Sequence, residues 1–471
     1  MRTETVLAAS PLLGHELEDR LGVRAGQDLA LARMMKAYTA TPLRDPAQRL
    51  SFAVAPIDLL VTEGQRGTEF QLLELNGTGI GGISNVPGEV VESMLESLRE
   101  MASAIDDPSS VVLLGISGLE SALHPRLNKL MHEKMVFAQA LLDGLRRRHD
   151  SASLYAMPSV RANPSLLLSR PGPSVVMGYM KNFLAALEVD SDGRLMLYGR
   201  RVAGILNDRF LLNVVDHFGR DVDLSDVIAM NGCYLAGGSK AVAYELLNEF
   251  VKEEPAPFMP DSIPFEVADD RASLIDIVIR WLSEDRDVVI KPYGTGAGHG
   301  IEFFLDPTTP HDEVVARIDE SIRTTSEYYA VTGGAFPYTV CPFVNARSIA
   351  RLDHACFGHK YELRMVVYRD GDHLHAFPSI IKIASRAYNA DCPDRLSLIN
   401  NITAASEDQK AGVDYILPLC NRETLELIGM SVEELAMVGR YMARYVRHVL
   451  DRLEDDPDTF TPTLRLAPIE P

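Results

Sequence analysis

Cysteine is scarce and scattered in this chain. The five residues Cys233, Cys341, Cys356, Cys392 and Cys420 form no CxxC pair, so neither a disulfide framework nor a zinc ribbon is expected. The chain has no HExxH to hold a catalytic zinc and no GK[ST] to end a Walker A loop. Positive charge is in short supply: 46 Lys and Arg face 66 Asp and Glu, a formal net charge of −20. Sequence-independent binding to nucleic acid needs a basic footprint and is excluded on that ground. Apolar runs stay well short of the roughly 20 residues that span a bilayer, and Met1 to Thr5 lacks the apolar stretch of a secretion signal. The expectation is a cytoplasmic protein without membrane contact. Its 46% hydrophobic and 24% charged residues are those of a globular protein, long enough for about two to four compact units.

In a chain so acidic, any anionic ligand needs a local gathering of cations, and one stretch offers it. DVVIKPYGTGAGHGIEFF, residues 287–304, begins with the β-branched run Val288, Val289 and Ile290, a buried strand that delivers Lys291 at its end. Pro292 stops the ladder. Gly294, Gly296, Gly298 and Gly300 then alternate with other residues before a second strand at Ile301 to Phe304. Glycines between two strands expose backbone N–H groups, which together with a lysine suit a polyphosphate. The spacing is GxGxGxG rather than GxGxxG, and a strand follows rather than a helix, so the stretch reads as a hairpin flap. A plain glycine-rich hairpin is the alternative.

A second constellation lies near the N-terminus. SFAVAPIDLLV, residues 51–61, reads as a buried strand carrying Asp58, and Glu69 to Asn76 as its partner, ending in GTGIGG. Glu74 and Asn76 are two apart on a strand and share a face, and Asp58 joins them if the register allows. Oxygens of Asp, Glu and Asn on one face suit a hard cation such as Mg²⁺. Alone, Asp58 is more simply a salt-bridged carboxylate.

Elsewhere the periodicity predicts helices at Asp28 to Tyr38, Val86 to Ile105, Pro125 to Arg148, Lys181 to Leu187, Lys240 to Phe250, Ala272 to Ser283 (with Trp281), Asp312 to Ser326 and, behind the capping box Ser431 to Glu434, along the apolar stripe from Leu435 to Leu453. Strands are expected at Val111 to Gly115, Ser174 to Met177, Arg194 to Leu206, Tyr338 to Val344, Tyr361 to Tyr368 and from His373 through Lys382. Arg200, Arg201, Asn207 and Arg209 could hold a carboxylated substrate, although solvated surface arginines are the simpler reading. The Pro-rich segment Glu254 to Pro260 reads as a linker, and the tail after Asp455 as frayed.

Taken in order, Lys240 opening a helix, the strand to Lys291, the glycine flap, the apolar strand before Val344, YELR, the lysine strand and the Glu-x-Asn resemble the ATP-grasp superfamily of carboxylate-amine ligases. The Asp and Glu-x-Asn strands come first rather than last, which resembles the circular permutation of eukaryotic glutathione synthetase and glutathionylspermidine synthetase. The resemblance implies an α/β (α+β) ATP-grasp fold, circularly permuted, with a Rossmann-like substrate domain. It divides the chain into 1–109, part of the metal-binding lobe; 110–238, the substrate domain; 239–330, the lid with its flap; and 331–471, the rest of the C-terminal lobe. Lys240 and Lys291 would contact the phosphates of ATP, Gly294, Gly296, Gly298 and Gly300 would cover them, and Cys341, Phe343 and Val344 would form the hinge at adenine. Glu362 would lie near the ribose or the metal. Asp58, Glu74 and Asn76 would hold Mg²⁺ (or Mn²⁺), and Arg364, Lys382 and Asn401 would face the transferred phosphoryl group. Thr295 stands where glutathione synthetase places an acidic metal ligand. The implied activity joins a small-molecule carboxylate to an amine through an acyl phosphate, and a homodimer is allowed. An ATP-grasp kinase and a non-turning-over binding protein would share the nucleotide residues.

Overall fold

The computed structural model describes residues 26–64, 67–80, 83–116, 128–206, 208–219, 222–293, 298–328, 335–399 and 415–456. Three sheets organise them. The first runs β1 (Thr41–Pro42), β16 (His373–Ala387), β15 (His359–Asp370), β2 (Val54–Gly64), β3 (Gly67–Leu75), with β17 (Ile416–Pro418) also on β16, and every pairing is antiparallel. The N-terminal hairpin β2-β3 therefore docks beside a strand some 300 residues later in the chain. Among the helices that cover this sheet, α1 (Leu29–Thr39) and α8 (Val432–Asp455) pack on β16, and α2 (Gly88–Ser103) on β15. Helix α8 begins at the capping box of Ser431 and Glu434 and buries Leu435, Val438, Met442, Tyr445, Val449 and Leu453.

The second sheet lies between residues 111 and 230. Its parallel part is β5 (Ser153–Ala156), β6 (Ser174–Tyr179), β4 (Val111–Ile116), β9 (Arg200–Leu206) and β10 (Ile228–Met230). Antiparallel β8 (Leu195–Leu197) and β7 (Leu187–Val189) extend it from β9. The single strand expected over Arg194 to Leu206 is in fact β8 and β9. Tyr198 and Gly199 both take positive φ, 48° and 78°, the primed geometry that turns a two-residue hairpin. Along the chain β4 comes first, yet it sits between β6 and β9 and runs parallel to both, its C-terminal end at Ile116. There Gly115 is required, because a Cβ would meet the Phe210 side chain at 2.7 Å. The long helix α3 (Asn128–Arg146) packs on α2, and α4 (Asp208–Phe218) leaves the C-terminal end of β9.

The third sheet is β11 (Glu266–Ala268), β14 (Tyr338–Pro342), β12 (Val288–Pro292) and β13 (Glu302–Phe304), antiparallel throughout. Helices α6 (Arg271–Ser283) and α7 (His311–Tyr328) back it, and Trp281, Phe304, Tyr338 and Val340 form a core separate from the main one. Strand β14 thus belongs with Lys291 and the flap, although it lies beyond the boundary expected at residue 330. Helix α5 (Lys240–Glu253) packs instead on β3 and α8, in the main core.

One residue joins the first two sheets. Asn231, directly after β10, has φ 70° and is fully buried. Its Oδ1 accepts from the N–H groups of Ala53 (2.9 Å) and Val54 (2.8 Å) at the start of β2. Asn231→Ala is expected to lower stability by roughly 1–3 kcal/mol by leaving those donors unpaired, with added strain in the left-handed region. Asn231→Gly should relieve the strain but not restore the acceptor, so a melting temperature between those of alanine and wild type is the expected result. Equal melting temperatures for all three would mean that the two hydrogen bonds contribute nothing.

Candidate functional site

The register of the first sheet gathers the charged residues on one face. Asp58 lies opposite Glu74 across β2 and β3, and opposite Arg364 across β2 and β15. Two residues before Arg364, Glu362 faces Lys382 on β16. The Arg364 guanidinium grips Asp58 with two bonds, Nε to Oδ1 at 2.7 Å and Nη2 to Oδ2 at 2.6 Å, and Lys382 Nζ reaches Oδ2 at 2.9 Å. Lys382 also pairs with Glu362. Asn76 Nδ2 donates to Asp58 Oδ2 (3.2 Å) and to Glu74 Oε1 (3.1 Å).

Asp58 is thus engaged on both oxygens by protein partners, Arg364, Lys382 and Asn76, and it is fully buried. Burial alone would raise its carboxyl, but the two cations hold it well below the usual carboxylate range. Glu74 and Asn76 are half-buried. Asn76 makes both bonds through its nitrogen, which leaves its Oδ1 outside them, so this pair fits a hard cation better than Asp58 does. Among the described residues no group of three or more His, Cys, Asp or Glu is arranged to hold a metal. Burial, with Asp58 and Glu74 nearby, pushes Glu362 up to about 7 against the pull of Lys382.

Across from this face stands the third sheet. Its central strand β12 carries Lys291, which donates to the Tyr244 hydroxyl at 2.7 Å. Lys240, the first residue of α5 after the N-cap Ser239, is buried; burial lowers its pKa, with Glu74 acting to raise it and Lys291 to lower it further. Between the sheets runs a cleft of about 100 Å³ lined by Leu72, Val289, Cys341, Phe343, Val344 and Glu362, among others. The apolar walls and the backbone of residues 341–344 suit a flat heterocycle, with Lys291 in the lining and Lys240 within electrostatic reach of Lys291. Gly298 and Gly300 have φ near 70°, and a Cβ on Gly300 would meet Thr325 Oγ1 at 2.0 Å. Arg395 holds the carbonyls of Gly298 and Ile301 from the opposite lobe. Gly294, Gly296 and Asn401 lie outside the described residues, as do Asn207 and the tail beyond Asp456.

No protein-family model matches the chain, and no curated protein matches it. Two solved structures are similar in outline. A provisionally assigned gamma-glutamylcysteine synthetase from Methylobacillus flagellatus KT has 12% identity and a TM-score of 0.42, covering 95% of this chain and 98% of its own. The D-alanyl-alanine synthetase A of Vibrio cholerae O1 biovar eltor has 10% identity and a TM-score of 0.32, covering 72% of this chain and 82% of its own. At that degree of likeness the reading of the site rests on its own geometry.

The arginines near β9 separate by position. Arg200 is buried and donates to the carbonyls of Pro108, Ser109, Leu167 and Gly172, a purely structural set. Arg201 pairs with Asp107 and Asp226. Arg209, at the other end of β9, lies within electrostatic reach of Lys240 and Tyr293.

Three contributors were missed by the sequence reading. Glu133 Oε1 accepts from Ile80 N–H at 2.7 Å, and Lys134 Nζ donates to Thr78 Oγ1 at 2.9 Å, so α3 holds the loop that follows Glu74 and Asn76. Arg364 Nη1 takes the Ile80 carbonyl at 3.2 Å from the other side. The third is Tyr244. Its only sequence signal is its place one helical turn after Lys240, on the same face; the adjacent buried charges of Glu133 and Lys134 in a long amphipathic helix were the signal for the other two.

Proposed function

We propose that the chain is an ATP-dependent ligase with a circularly permuted ATP-grasp fold, joining a carboxylate to an amine and releasing ADP and phosphate. The single observation that carries this reading is the register placing Asp58, Glu74, Glu362, Arg364 and Lys382 on one sheet face, across a cleft from Lys240, Lys291 and the backbone of residues 341–344. Cations and carboxylates facing a slot with apolar walls are what a nucleotide triphosphate and an anionic acceptor require together. The permutation is supported by the docking of the N-terminal hairpin β2-β3 beside β15.

Adenine would occupy the slot against Val289 and Phe343, with the chain at Cys341 to Val344 offering backbone hydrogen bonds. Lys240 and Lys291 would take the phosphates, beneath the flap of residues 294–300. Glu74 and Asn76 would hold Mg²⁺, which neutralises phosphate charge when bound. Arg364 and Lys382, with Asn401, would face the γ-phosphate. The acid's carboxylate oxygen attacks phosphorus, the bond to the β-phosphate oxygen breaks, and ADP leaves. Amine attack on the acyl carbon then expels inorganic phosphate, and the amine loses a proton. The chain supplies position, charge and exclusion of water, and needs no nucleophilic side chain. Residues 110–238 would seat the acid or amine, with Arg209, within electrostatic reach of Lys240, available to a substrate carboxylate.

A screen of amino acids and small carboxylates for amine-dependent ADP release identifies the acid. With its carboxylate labelled by heavy oxygen, one label is expected in inorganic phosphate, since phosphate departs with a carboxylate oxygen. A stable phosphorylated product without amide would mean a kinase, and label found only in AMP would mean adenylation; either outcome overturns the ligase reading.

A further inference from the structure

A tyrosine on the nucleotide side of the cleft has no role in the scheme above. Tyr244 is buried at 2% exposure on α5, one turn beyond Lys240. Its hydroxyl carries one proton and two lone pairs. The proton goes to the carbonyl of Leu73 at 3.1 Å, and a lone pair accepts from the Lys291 ammonium at 2.7 Å. The direction of this relay is fixed, because an ammonium can only donate and a carbonyl can only accept. Leu73 is also no ordinary strand residue. The pairing of β2 and β3 slips there, Asp58 lying opposite Glu74 while Leu59 lies opposite Leu72, so Leu73 is the extra residue of a bulge immediately before Glu74.

The relay crosses the line between two cores. Lys291 stands on β12, whose Val288 and Ile290 pack in the separate core of the third sheet. Tyr244 packs in the main core, with its ring 6.0 Å from that of Phe265. A lysine has four rotatable side-chain bonds, and without a fixed acceptor its ammonium would sample several places in the cleft. We infer that Tyr244 is a positioning residue that fixes the Lys291 ammonium relative to the Glu74 strand, so that the nucleotide phosphates meet a lysine already in place. The inference rests on the nucleotide reading of the cleft.

The test is a double-mutant cycle on the full chain with Mg-ATP as the probe, measuring Kd by calorimetry and melting temperature by scanning calorimetry. Tyr244→Phe keeps the ring and removes the hydroxyl. Its Kd is expected to rise about tenfold, the scale of a hydrogen bond to a charged group. Lys291→Met should weaken binding further, and in that background Tyr244→Phe should change Kd by less than about twofold, because the tyrosine acts through the lysine. A tyrosine that only supports the fold predicts something different: a lower melting temperature, with Kd unchanged or with equal effects in both backgrounds. That result overturns the inference and leaves the nucleotide reading standing. Wild-type protein that fails to bind Mg-ATP overturns the nucleotide reading itself, and the inference with it. If Tyr244→Phe does not fold, the same cycle with Tyr244→Met applies.

Discussion

Glu74→Gln protein is expected to fold with an unchanged melting temperature, to bind Mg-ATP within about tenfold of wild type, and to turn over on the order of a hundredfold more slowly or worse. Glutamine keeps the volume of the side chain and an oxygen that can accept from Asn76 Nδ2, whose bond to Glu74 Oε1 is 3.1 Å. Little packing is at risk, because Glu74 is only half-buried. What is lost is one negative charge beside the place where phosphate and cation would meet. Binding should suffer modestly, since Lys240, Lys291 and the slot at residues 341–344 also hold the nucleotide. Transfer should suffer far more, since charge on the moving phosphoryl group is greatest in the transition state. The plain alternative, a strand-end carboxylate, predicts a small stability loss and near-normal turnover. Steady-state turnover with Mg-ATP and the screened substrates decides between them. Half of wild-type activity at an unchanged melting temperature would remove residues 58–76 from the active site and, with them, the argument for a permuted ATP-grasp chain.

What could be read ahead of the structure was what depends on local period. The Glu-x-Asn and the Glu-x-Arg of YELR each place two functional side chains on one face by alternation alone, and Asp28, Ser239 and Ser431 mark helix starts by the chemistry of their side chains. Register and long-range partners were not legible. Asp58 could have faced a cation or an arginine, and the register that sets it opposite Arg364 leaves no trace in the local pattern. Arg200 looked like a surface residue because its four carbonyl acceptors come from loops at residues 108–109, 167 and 172, which share no pattern with it. The hairpin at Tyr198 and Gly199 was hidden by an unbroken apolar-basic run. Strand β14 lies past the boundary expected at residue 330 and yet pairs with β11 and β12, since sheet membership follows hydrogen bonding rather than order.

The largest loss of stability is expected from Asp58→Ala. The aspartate is fully buried between Arg364 and Lys382, themselves 8% and 7% exposed, and removing it leaves the Arg364 guanidinium in the core without its two-bond partner. Breaking a buried ion pair from one side typically costs roughly 3–5 kcal/mol, because the remaining charge is desolvated and uncompensated. Lys382 retains Glu362, so the penalty should fall mainly on Arg364. The double variant Asp58→Ala with Arg364→Met should then be more stable than Asp58→Ala alone, although it lacks one more native residue. The pH dependence has a definite sign. Asp58 is held below its ordinary range by the two cations in spite of its burial. Its contribution is therefore complete above about pH 4, the unfolded carboxylate value, and is lost only as the pH falls through the depressed folded value. At neutral pH the melting temperature of Asp58→Ala should be far below that of wild type, by the same margin with Mg²⁺ present or chelated. A margin that appears only with Mg²⁺ would make Asp58 a metal ligand after all, and no margin in either condition would mean that the grip of Arg364 on Asp58 does not hold this sheet together.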